Sequence, residues 1–249
     1  MQKKSRKRLQ MVCCSERGNL YSKISEIQIF FLIFADFYGM TQKEISAAID
    51  VKSGGTLTKL LENLMESGII RAYPRYGKER VETVYQLIDF FSLFYLRFIQ
   101  GKQAKKGIWN SIHGTPTFYT WAGDTFELLC IEHLSQIQDT LRIASINRNY
   151  CWNGKSPDGK GAQIDLLLES KADRTDYLCE MKFTGGKYAI TKIDEEDFLN
   201  KIEAFAASKM HNKTHRIQLV MITTMGIARG EHASIVNQSV VLDNLFADR

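Results

Sequence analysis

Two strand-like runs joined by a short turn constrain the fold of this chain most. Both runs are largely apolar and have the length of strands: AQIDLLLES and DYLCEMKF. If they form a symmetric hairpin about Ala172 and Asp173, Asp165 lies directly opposite Glu180, because the numbers of facing residues then average to the turn. The hairpin therefore brings two carboxylates together in a segment that otherwise has the composition of a core.

The expected side-chain alternation puts both acids on one face of the sheet. Asp165 shares its face with Gln163, Leu167 and Glu169, while Ile164, Leu166 and Leu168 are expected on the other face. On the second strand, Glu180 shares its face with Leu178 and Lys182. Directly opposed side chains have β-carbons about 4.5–5.5 Å apart, a distance at which two carboxylates repel unless something positive lies between them.

A divalent cation is one way to supply that positive charge. Magnesium prefers one or two carboxylates with water and phosphate oxygens, and manganese has similar preferences. Asp165, Glu180 and the Met181 carbonyl are the expected ligands. Lys182 would orient or deprotonate an attacking water and stabilise charge on a phosphate. The alternative is an ordinary solvated face on which Glu180 and Lys182 form a surface ion pair of little energetic worth.

A further acid lies on the helix predicted before this hairpin. In the segment GDTFELLCIEHL, Glu127 falls within an apolar stripe, whose members are Phe126, Cys130, Ile131 and Leu134. A carboxylate on a buried stripe needs a partner, since an unpaired buried charge is costly. The acid pair, with its cation, would provide one, and this favours a functional site over a solvated face.

The second half of the chain predicts an α/β unit. Its segments read in order as a helix, three strands, a helix and a strand: DTFELLCIEHLSQI, RIASINRNYCW, AQIDLLLES, DYLCEMKF, DEEDFLNKIEAFAAS and RIQLVMITT. The loop GKSPDGKG is nearly a phosphate-binding P-loop, but Gly161 stands where Ser or Thr must hold magnesium, and a strand follows where a helix is required. No nucleotide site of that type is expected.

The first half predicts helices followed by a hairpin. A first helix is expected in YSKISEIQIFFLIFADF, Thr41 and Glu44 form a capping box for a second, and GGTLTKLLENLMESG has helical leucine spacing that ends at Gly68. Two strand-like runs then surround the basic tip RYGKER. This is the pattern of a winged helix, a module that binds either DNA or protein. The expected DNA contacts are Thr56, Thr58, Lys59, Arg75, Lys78 and Arg80.

Charge separates the two halves. Residues 1–110 hold 18 Lys and Arg against 10 Asp and Glu, a net charge of +8, whereas residues 111–249 hold 15 against 18, a net charge of −3. We expect a disordered basic tail at 1–20, a winged-helix domain with the connector helix DFFSLFYLRFI at 21–110, and a catalytic-type domain at 111–249. The polar stretch QGKQAKKG is the expected linker.

Other classes of protein are disfavoured. No apolar run approaches the roughly 18 residues of a membrane span, and the basic N-terminus leads into no signal region, so a cytoplasmic protein is expected. The five cysteines follow no disulfide or zinc spacing, which favours reduced thiols. His211 and His215 have the i, i+4 spacing of metal ligands, but the polar residues between them favour a solvated surface loop.

The order of elements and acids resembles the PD-(D/E)XK nuclease superfamily over roughly residues 115–249. The resemblance implies a restriction-endonuclease-like, metal-dependent phosphodiesterase fold, with Asp165 and Glu180 as ligands, Lys182 as catalytic lysine and Glu127 as helix acid. The departure is Gln163-Ile164 ahead of Asp165, where the superfamily's name has Pro.

The whole chain resembles the C-terminal part of prokaryotic AAA-type ATPases of the archaeal-ATPase kind. The residues that carry the likeness are YQLIDFFSLFYLRFI, WAGDTFELLCIEHL and QIDLLLE…LCEMKF. An N-terminal P-loop domain comes first in that family and is not in this sequence, so the chain is expected to be a fragment or to act with a separate ATPase chain. The ATPase activity does not carry over, and nuclease activity is not implied by the fold.

Three functions remain open on the sequence. The first is a DNA-directed, magnesium- or manganese-dependent nuclease module. The second is a non-catalytic interaction module that docks on an ATPase or a toxin-like partner. The third is a winged-helix transcription regulator whose second half binds a ligand or forms dimers.

Overall fold

The computed structural model describes residues 39–49, 53–76, 81–100 and 107–247. Within them the chain is a mixed α/β protein. Its α-helices are α1 (Gln42–Ile49), α2 (Gly55–Glu66), α3 (Phe90–Phe94), α4 (Ile108–Ile112), α5 (Pro116–Glu132), α6 (Leu134–Leu141) and α7 (Lys192–Ala207). Short helices of other kinds are a π-helix at Tyr95–Ile99 and 3-10 helices at Glu231–Ile235 and Leu242–Phe246.

The strands form one sheet across both halves of the chain. They are β1 (Met40–Thr41), β2 (Ile70–Tyr76), β3 (Val81–Leu87), β4 (Arg148–Lys155), β5 (Gly161–Ser170), β6 (Thr175–Lys182), β7 (Arg216–Thr223) and β8 (Gln238–Val241). Their order in the sheet is β1-β3-β2-β4-β5-β6-β7-β8. The β2–β4, β6–β7 and β7–β8 pairs are parallel, and the other pairs are antiparallel.

The basic half joins the sheet through β2. Arg75 pairs with Cys151 and Tyr76 with Trp152, so the hairpin of β2 and β3 continues the sheet of the second half. The sequence predicted the hairpin but not this junction. Because the paired residues of β2 and β4 are far apart in the chain, no local sequence pattern predicts that these strands are neighbours.

Helices cover both faces of the second half. Helices α5 and α6 pack on one face through an apolar cluster that includes Phe126, Cys130 and Met181, here called the α5-side core. Helix α7 packs on the other through a cluster that includes Phe198 and Phe205, the α7-side core. A capping box in which Thr191 and Asp194 exchange hydrogen bonds begins α7. These helices fix which side chains reach the edge of the sheet.

Helix α5 also touches the first half. Its Leu128 belongs to a third apolar cluster with residues of α1, α2 and the hairpin, including Ile45, Leu57, Leu61 and Ile70. Successive residues of α5 therefore pack toward different parts of the molecule. Glu127 lies between Phe126 of the α5-side core and Leu128 of this third cluster.

Several local predictions for the first half are confirmed. Thr41 donates its main-chain N–H to Glu44 at 2.7 Å and accepts the N–H of Glu44 at 3.2 Å, which is the predicted capping box. Leu57, Leu61 and Leu64 are buried on α2, and Gly68 ends this segment with a left-handed φ of 68°. The predicted helix at 21–37, the tail at 1–20 and most of the linker lie outside the described residues.

The second half follows the predicted order with three local differences. The strand predicted to begin at Arg142 begins at Arg148, as β4. The single helix expected over residues 124–137 is broken at His133, where α5 ends and α6 begins. Strand β8, which extends the parallel part of the sheet, was not predicted. A strand does follow the loop that resembles a P-loop, as the sequence indicates, and that strand is β5.

The prediction that His211 and His215 lie in a solvated loop is wrong. Both side chains are buried, and their Nδ1 atoms lie 2.8 and 3.0 Å from the two carboxylate oxygens of Asp176. Asp176 is itself only 2% exposed. The polar residues between the histidines suggested a surface loop, but the buried carboxylate at the start of β6 binds both imidazoles.

Three cysteines in the described part of the chain form no disulfide. They are Cys130, Cys151 and Cys179. Among the described residues, no helix combines the length and the apolar composition needed to cross a bilayer.

Candidate active site

The site lies where β5 separates from β6. Their ladder has the predicted symmetric register and ends at the pair Leu166–Cys179, one residue short of Asp165 and Glu180. On its other side, β5 pairs Leu167 with Tyr150 and Ile164 with Trp152. Two residues of β5 thus face the single residue Cys151 of β4, which is a β-bulge. The bulge lies at Asp165, so it redirects the side chain on which the predicted site depends.

The bulge overturns the predicted alternation of side chains along β5. Ile164 packs with Leu167 in the α7-side core, whereas Leu166 and Leu168 belong to the α5-side core. Strict alternation had put Ile164 with Leu166 and Leu168. The extra residue of the bulge shifts the pattern by one position, which sequence periodicity does not reveal.

Asp165 replaces a main-chain acceptor at this point. Its Oδ2 atom accepts the main-chain N–H of Met181 at 3.1 Å. The main-chain oxygen of Asp165 accepts a hydrogen bond from the Cys151 thiol at 3.0 Å. The carboxylate is therefore anchored to the main chain of β6 one residue from Glu180, although the ladder ends at Leu166–Cys179 and does not pair Asp165 with Glu180.

Glu180 is buried and bound by two lysines. It is 4% exposed, and its Oε1 atom lies 2.7 Å from Nζ of Lys182, two residues along the same strand. Its Oε2 atom lies 2.6 Å from Nζ of Lys201 on α7. The positive charge that the sequence required beside the acid pair is thus provided, in this structure, by two ammonium groups.

Glu127 reaches the same site from α5. A small cleft is lined by Glu127 and Asp165 together with Leu128, Ile131, Cys151, Gln163, Tyr73 and Gln86. Tyr73 belongs to β2 and Gln86 to β3, so the hairpin of the basic half forms one wall of the acidic cleft. The sequence placed Glu127 at the site but gave no sign of this wall.

Burial and mutual repulsion raise the pKa values of two acids at the site. Burial, followed by the charge of Asp165, raises the pKa of Glu127 to about 9. Burial, followed by the charge of Glu180, raises the pKa of Asp165 to about 6, although the hydrogen bond from Met181 opposes this rise. Burial alone would lower the pKa of Lys182, but the Glu180 carboxylate outweighs it, so that pKa lies above its ordinary value. At neutral pH the lysine is charged and Glu127 is protonated.

The oxygen-rich donor set fits a hard divalent cation. Among the described residues, no three His, Cys, Asp or Glu side chains meet in an arrangement that would hold a metal by themselves. Magnesium, however, is bound in proteins by one or two carboxylates and completes its shell with water and phosphate oxygens. Asp165 and Glu180 would supply these carboxylates. The Met181 carbonyl remains a predicted third ligand.

Lys201 is the site residue that the sequence analysis missed. It lies three residues after Phe198 and four before Phe205, and both phenylalanines are buried in the α7-side core. A lysine at helical spacing between two buried aromatic residues lies on the apolar stripe and needs a partner. The same reasoning that identified Glu127 on its helix would have identified Lys201.

The predicted DNA contacts are brought together only in part. On α2, Thr56 and Lys59 are exposed, whereas the hydroxyl of Thr58 donates to the Gly54 carbonyl and accepts from Gln42. The structure describes only the main chain of Arg75, which pairs within the sheet, and Lys78 and Arg80 lie outside the described residues. The Thr58 hydroxyl, one of the predicted DNA contacts, is therefore already hydrogen-bonded within the protein.

Comparisons with known proteins give no relative, because no family model, no curated protein and no solved structure matches the chain.

Proposed function

We propose that this chain is a metal-dependent, DNA-directed phosphodiesterase module with a PD-(D/E)XK-type, restriction-endonuclease-like site. The observation that carries the proposal is the convergence of Asp165, Glu180 and Lys182 at the point where two central strands separate. Burial raises the pKa of Asp165, which lines a cleft close to a lysine. Carboxylates with perturbed pKa values in such a position are typical of functional sites.

Each side chain has a role in phosphodiester hydrolysis. Asp165 and Glu180, with the Met181 carbonyl, would hold magnesium or manganese, which acts as a Lewis acid and lowers the pKa of a bound water. Lys182 is charged and half-exposed, so its ammonium can reach a phosphate oxygen and stabilise the negative charge that develops there. Glu127, protonated at neutral pH, can donate a hydrogen bond within the cleft.

The basic half would hold the nucleic acid. It has a net charge of +8 over residues 1–110, and sequence-independent attraction to phosphate scales with such charge. Helix α2 carries the exposed Thr56 and Lys59, and the hairpin after it lines the acidic cleft. A winged helix with α2 as recognition helix and Arg75, Lys78 and Arg80 near phosphates would bring duplex DNA to the acids.

The partner we propose is an AAA-type ATPase, on the same polypeptide or on a separate one. The proposal rests on the likeness of three segments to the C-terminal part of archaeal-type ATPases: YQLIDFFSLFYLRFI, WAGDTFELLCIEHL and QIDLLLE…LCEMKF. Such an arrangement would couple DNA handling by the ATPase to the acidic cleft described here.

A second candidate function is a non-catalytic module that docks on DNA or on an ATPase. The observation that favours it is the pairing of both Glu180 oxygens with lysines, which compensates the acid without a metal. An ion-pair arrangement of this kind can serve a purely structural role. The two candidates differ in whether the chain binds manganese through Asp165.

The decisive experiment is plasmid cleavage in magnesium or manganese by the unaltered chain, Asp165→Ala and Lys182→Ala. The nuclease proposal expects cleavage by the unaltered chain and at least a hundredfold less by each variant. Equal cleavage by all three, or none, would remove the catalytic proposal. Manganese calorimetry on the unaltered chain and Asp165→Ala then tests the second candidate, which expects no heat that depends on Asp165.

A further inference from the structure

We propose that Lys201 is an internal counter-ion that neutralises Glu180 in the metal-free site and is displaced when a divalent cation binds. The inference rests on the proposed function, since it concerns regulation of the same acid pair. It treats Lys201 as a positioning residue with no part in the chemical step.

The Lys201 ammonium is buried directly against Glu180. Nζ of Lys201 lies 2.6 Å from Oε2 of Glu180, and the Lys201 side chain is only 12% exposed, against 36% for Lys182. The helix carrying it is fixed to the sheet by Phe198 and Phe205, and Nζ also lies 5.9 Å from the centre of the Phe198 ring. A buried ammonium held this close to Glu180 repels any cation that approaches the same carboxylate.

Lys201 has a second acidic partner on its own helix. Its Nζ lies 3.2 Å from Oδ2 of Asp197, one turn earlier on α7, and the Asp197 side chain is 46% exposed. An ammonium that leaves Glu180 can therefore keep Asp197 as its counter-ion and move toward solvent. The exchange would not leave an unpaired buried charge, which is strongly destabilising.

Lys182 and Lys201 reach Glu180 from different elements of the fold. Lys182 comes from the strand that carries Glu180 and reaches Oε1, so its distance to the acid is set within three residues of chain. Lys201 comes from helix α7, 21 residues after Glu180, and its ammonium contacts both Glu180 and Asp197. Of the two ammonium groups, Lys201 is the one with a second acid, Asp197, within ion-pair distance, and in this proposal Lys182 remains to meet the phosphate.

The test is manganese calorimetry on the full chain carrying Lys201→Gln or Lys201→Met. Removing the competing charge should tighten manganese binding at least about tenfold relative to the unaltered chain. Lys192→Gln is the matched control, because it removes the same charge from the same helix at a side chain that is 77% exposed, and it should leave the affinity unchanged. Unchanged or weaker binding in both Lys201 variants would overturn the inference.

A second variant keeps both lysines and tests whether Asp197 is the partner of Lys201 after displacement from Glu180. Asp197→Asn removes the alternative partner, so displaced Lys201 would lose its counter-ion, and manganese should bind about threefold to tenfold more weakly. A merely structural role for Lys201 predicts no change, and that result would overturn the inference even if the Lys201 variants did not fold. Thermal melting of each chain without metal shows which variants are folded.

The outcomes separate this inference from the proposed function. Manganese binding that depends on Asp165 but ignores both Lys201 and Asp197 leaves the proposed function standing and removes the counter-ion role. No binding by any chain, including the Lys201 variants, removes both. Binding that is detectable only after Lys201 is replaced supports the counter-ion role directly.

Discussion

Asp165 accepts the main-chain N–H of Met181 at 3.1 Å, so a side-chain carboxylate occupies the place that a main-chain carbonyl would hold if the β5–β6 ladder continued. The acid is thereby part of the sheet's hydrogen bonding as well as part of the candidate site. Its two contributions, acceptor and charge, can be separated by substitution.

Asp165→Asn should keep the fold and lose the charge, whereas Asp165→Ala should lose both. The asparagine oxygen can still accept from Met181 and removes the repulsion from Glu180, so the free energy of unfolding at pH 8 should equal or exceed that of the unaltered chain. The alanine variant leaves a buried N–H unpaired and should lose about 1–3 kcal/mol. Urea unfolding of the three proteins measures this, and equal losses for Asn and Ala would contradict it.

Glu127→Gln should stabilise the metal-free protein increasingly as pH rises. The folded-state pKa of Glu127, about 9, lies above its ordinary value of 4.5, so the unfolded chain ionises first and stability is lost as pH rises through this window. Glutamine removes the loss. The difference in melting temperature between variant and unaltered chain should therefore be small near pH 4.5 and grow toward pH 9.

The control for this effect is Glu132→Gln, which removes an acid of the same helix whose side chain is 42% exposed and which binds Arg71. Its melting-temperature difference should not increase in the same way between pH 4.5 and pH 9. A pH-independent gap for Glu127→Gln would show that Glu127 is ionised in the folded chain.

Lys182→Met should reduce plasmid cleavage at least a hundredfold while changing the melting temperature by only a few degrees. Its side chain is 36% exposed, so its ion pair with Glu180 contributes modestly to folding, while the proposed role at the phosphate depends on its charge. Lys187→Met removes the same charge from an exposed position five residues later and should cleave normally. Equal cleavage by the two variants would contradict the assignment of Lys182.

Asp176→Asn should destabilise the protein by about 1–3 kcal/mol, because the amide group cannot accept hydrogen bonds from both His211 and His215. The site lies at the opposite end of β6 from Glu180, so manganese binding should be unaffected in the folded variant. Chemical denaturation measures the loss, with the exposed Glu196→Gln as the control. A loss no larger than that of the control would mean that the histidine pair does not depend on Asp176.

Lys59→Ala should weaken binding to any DNA sequence and lower the slope of log affinity against log salt by about one. Lys59 is exposed on α2, where the proposal puts a phosphate contact. Lys171→Ala removes an exposed lysine at the β5–β6 turn and should leave the slope unchanged. Fluorescence anisotropy over a salt series compares them, and identical slopes for both variants would place DNA elsewhere.

What the sequence could predict was decided locally. The register of β5 and β6 follows from a short turn between two apolar runs, and the Thr41–Glu44 capping box follows from residue types three apart. Glu127 could be identified because a carboxylate on the apolar stripe of a helix is expected to be buried, and a buried carboxylate needs a partner. Lys201 is likewise a charged residue on the apolar stripe of α7, so the sequence predicts a buried partner for it as well.

What could not be predicted depends on contacts between distant parts of the chain. The bulge at Asp165 is visible only when β4 and β5 are paired, because it is a mismatch between two strands. The binding of His211 and His215 to Asp176 joins residues 35 and 39 positions apart. For the histidines, a polar pattern typical of a surface loop was overridden by tertiary packing.

The short parallel junction between β2 and β4 has a practical consequence for dividing this protein into pieces. A fragment that begins after residue 110 would lack β2, and the main-chain groups of Cys151 and Trp152 that now face it would be left on an open strand edge. Such edges invite pairing with other chains, so the isolated fragment is prone to self-association. Expression of the two halves as independent units would therefore change the solution behaviour of the piece that carries the acids.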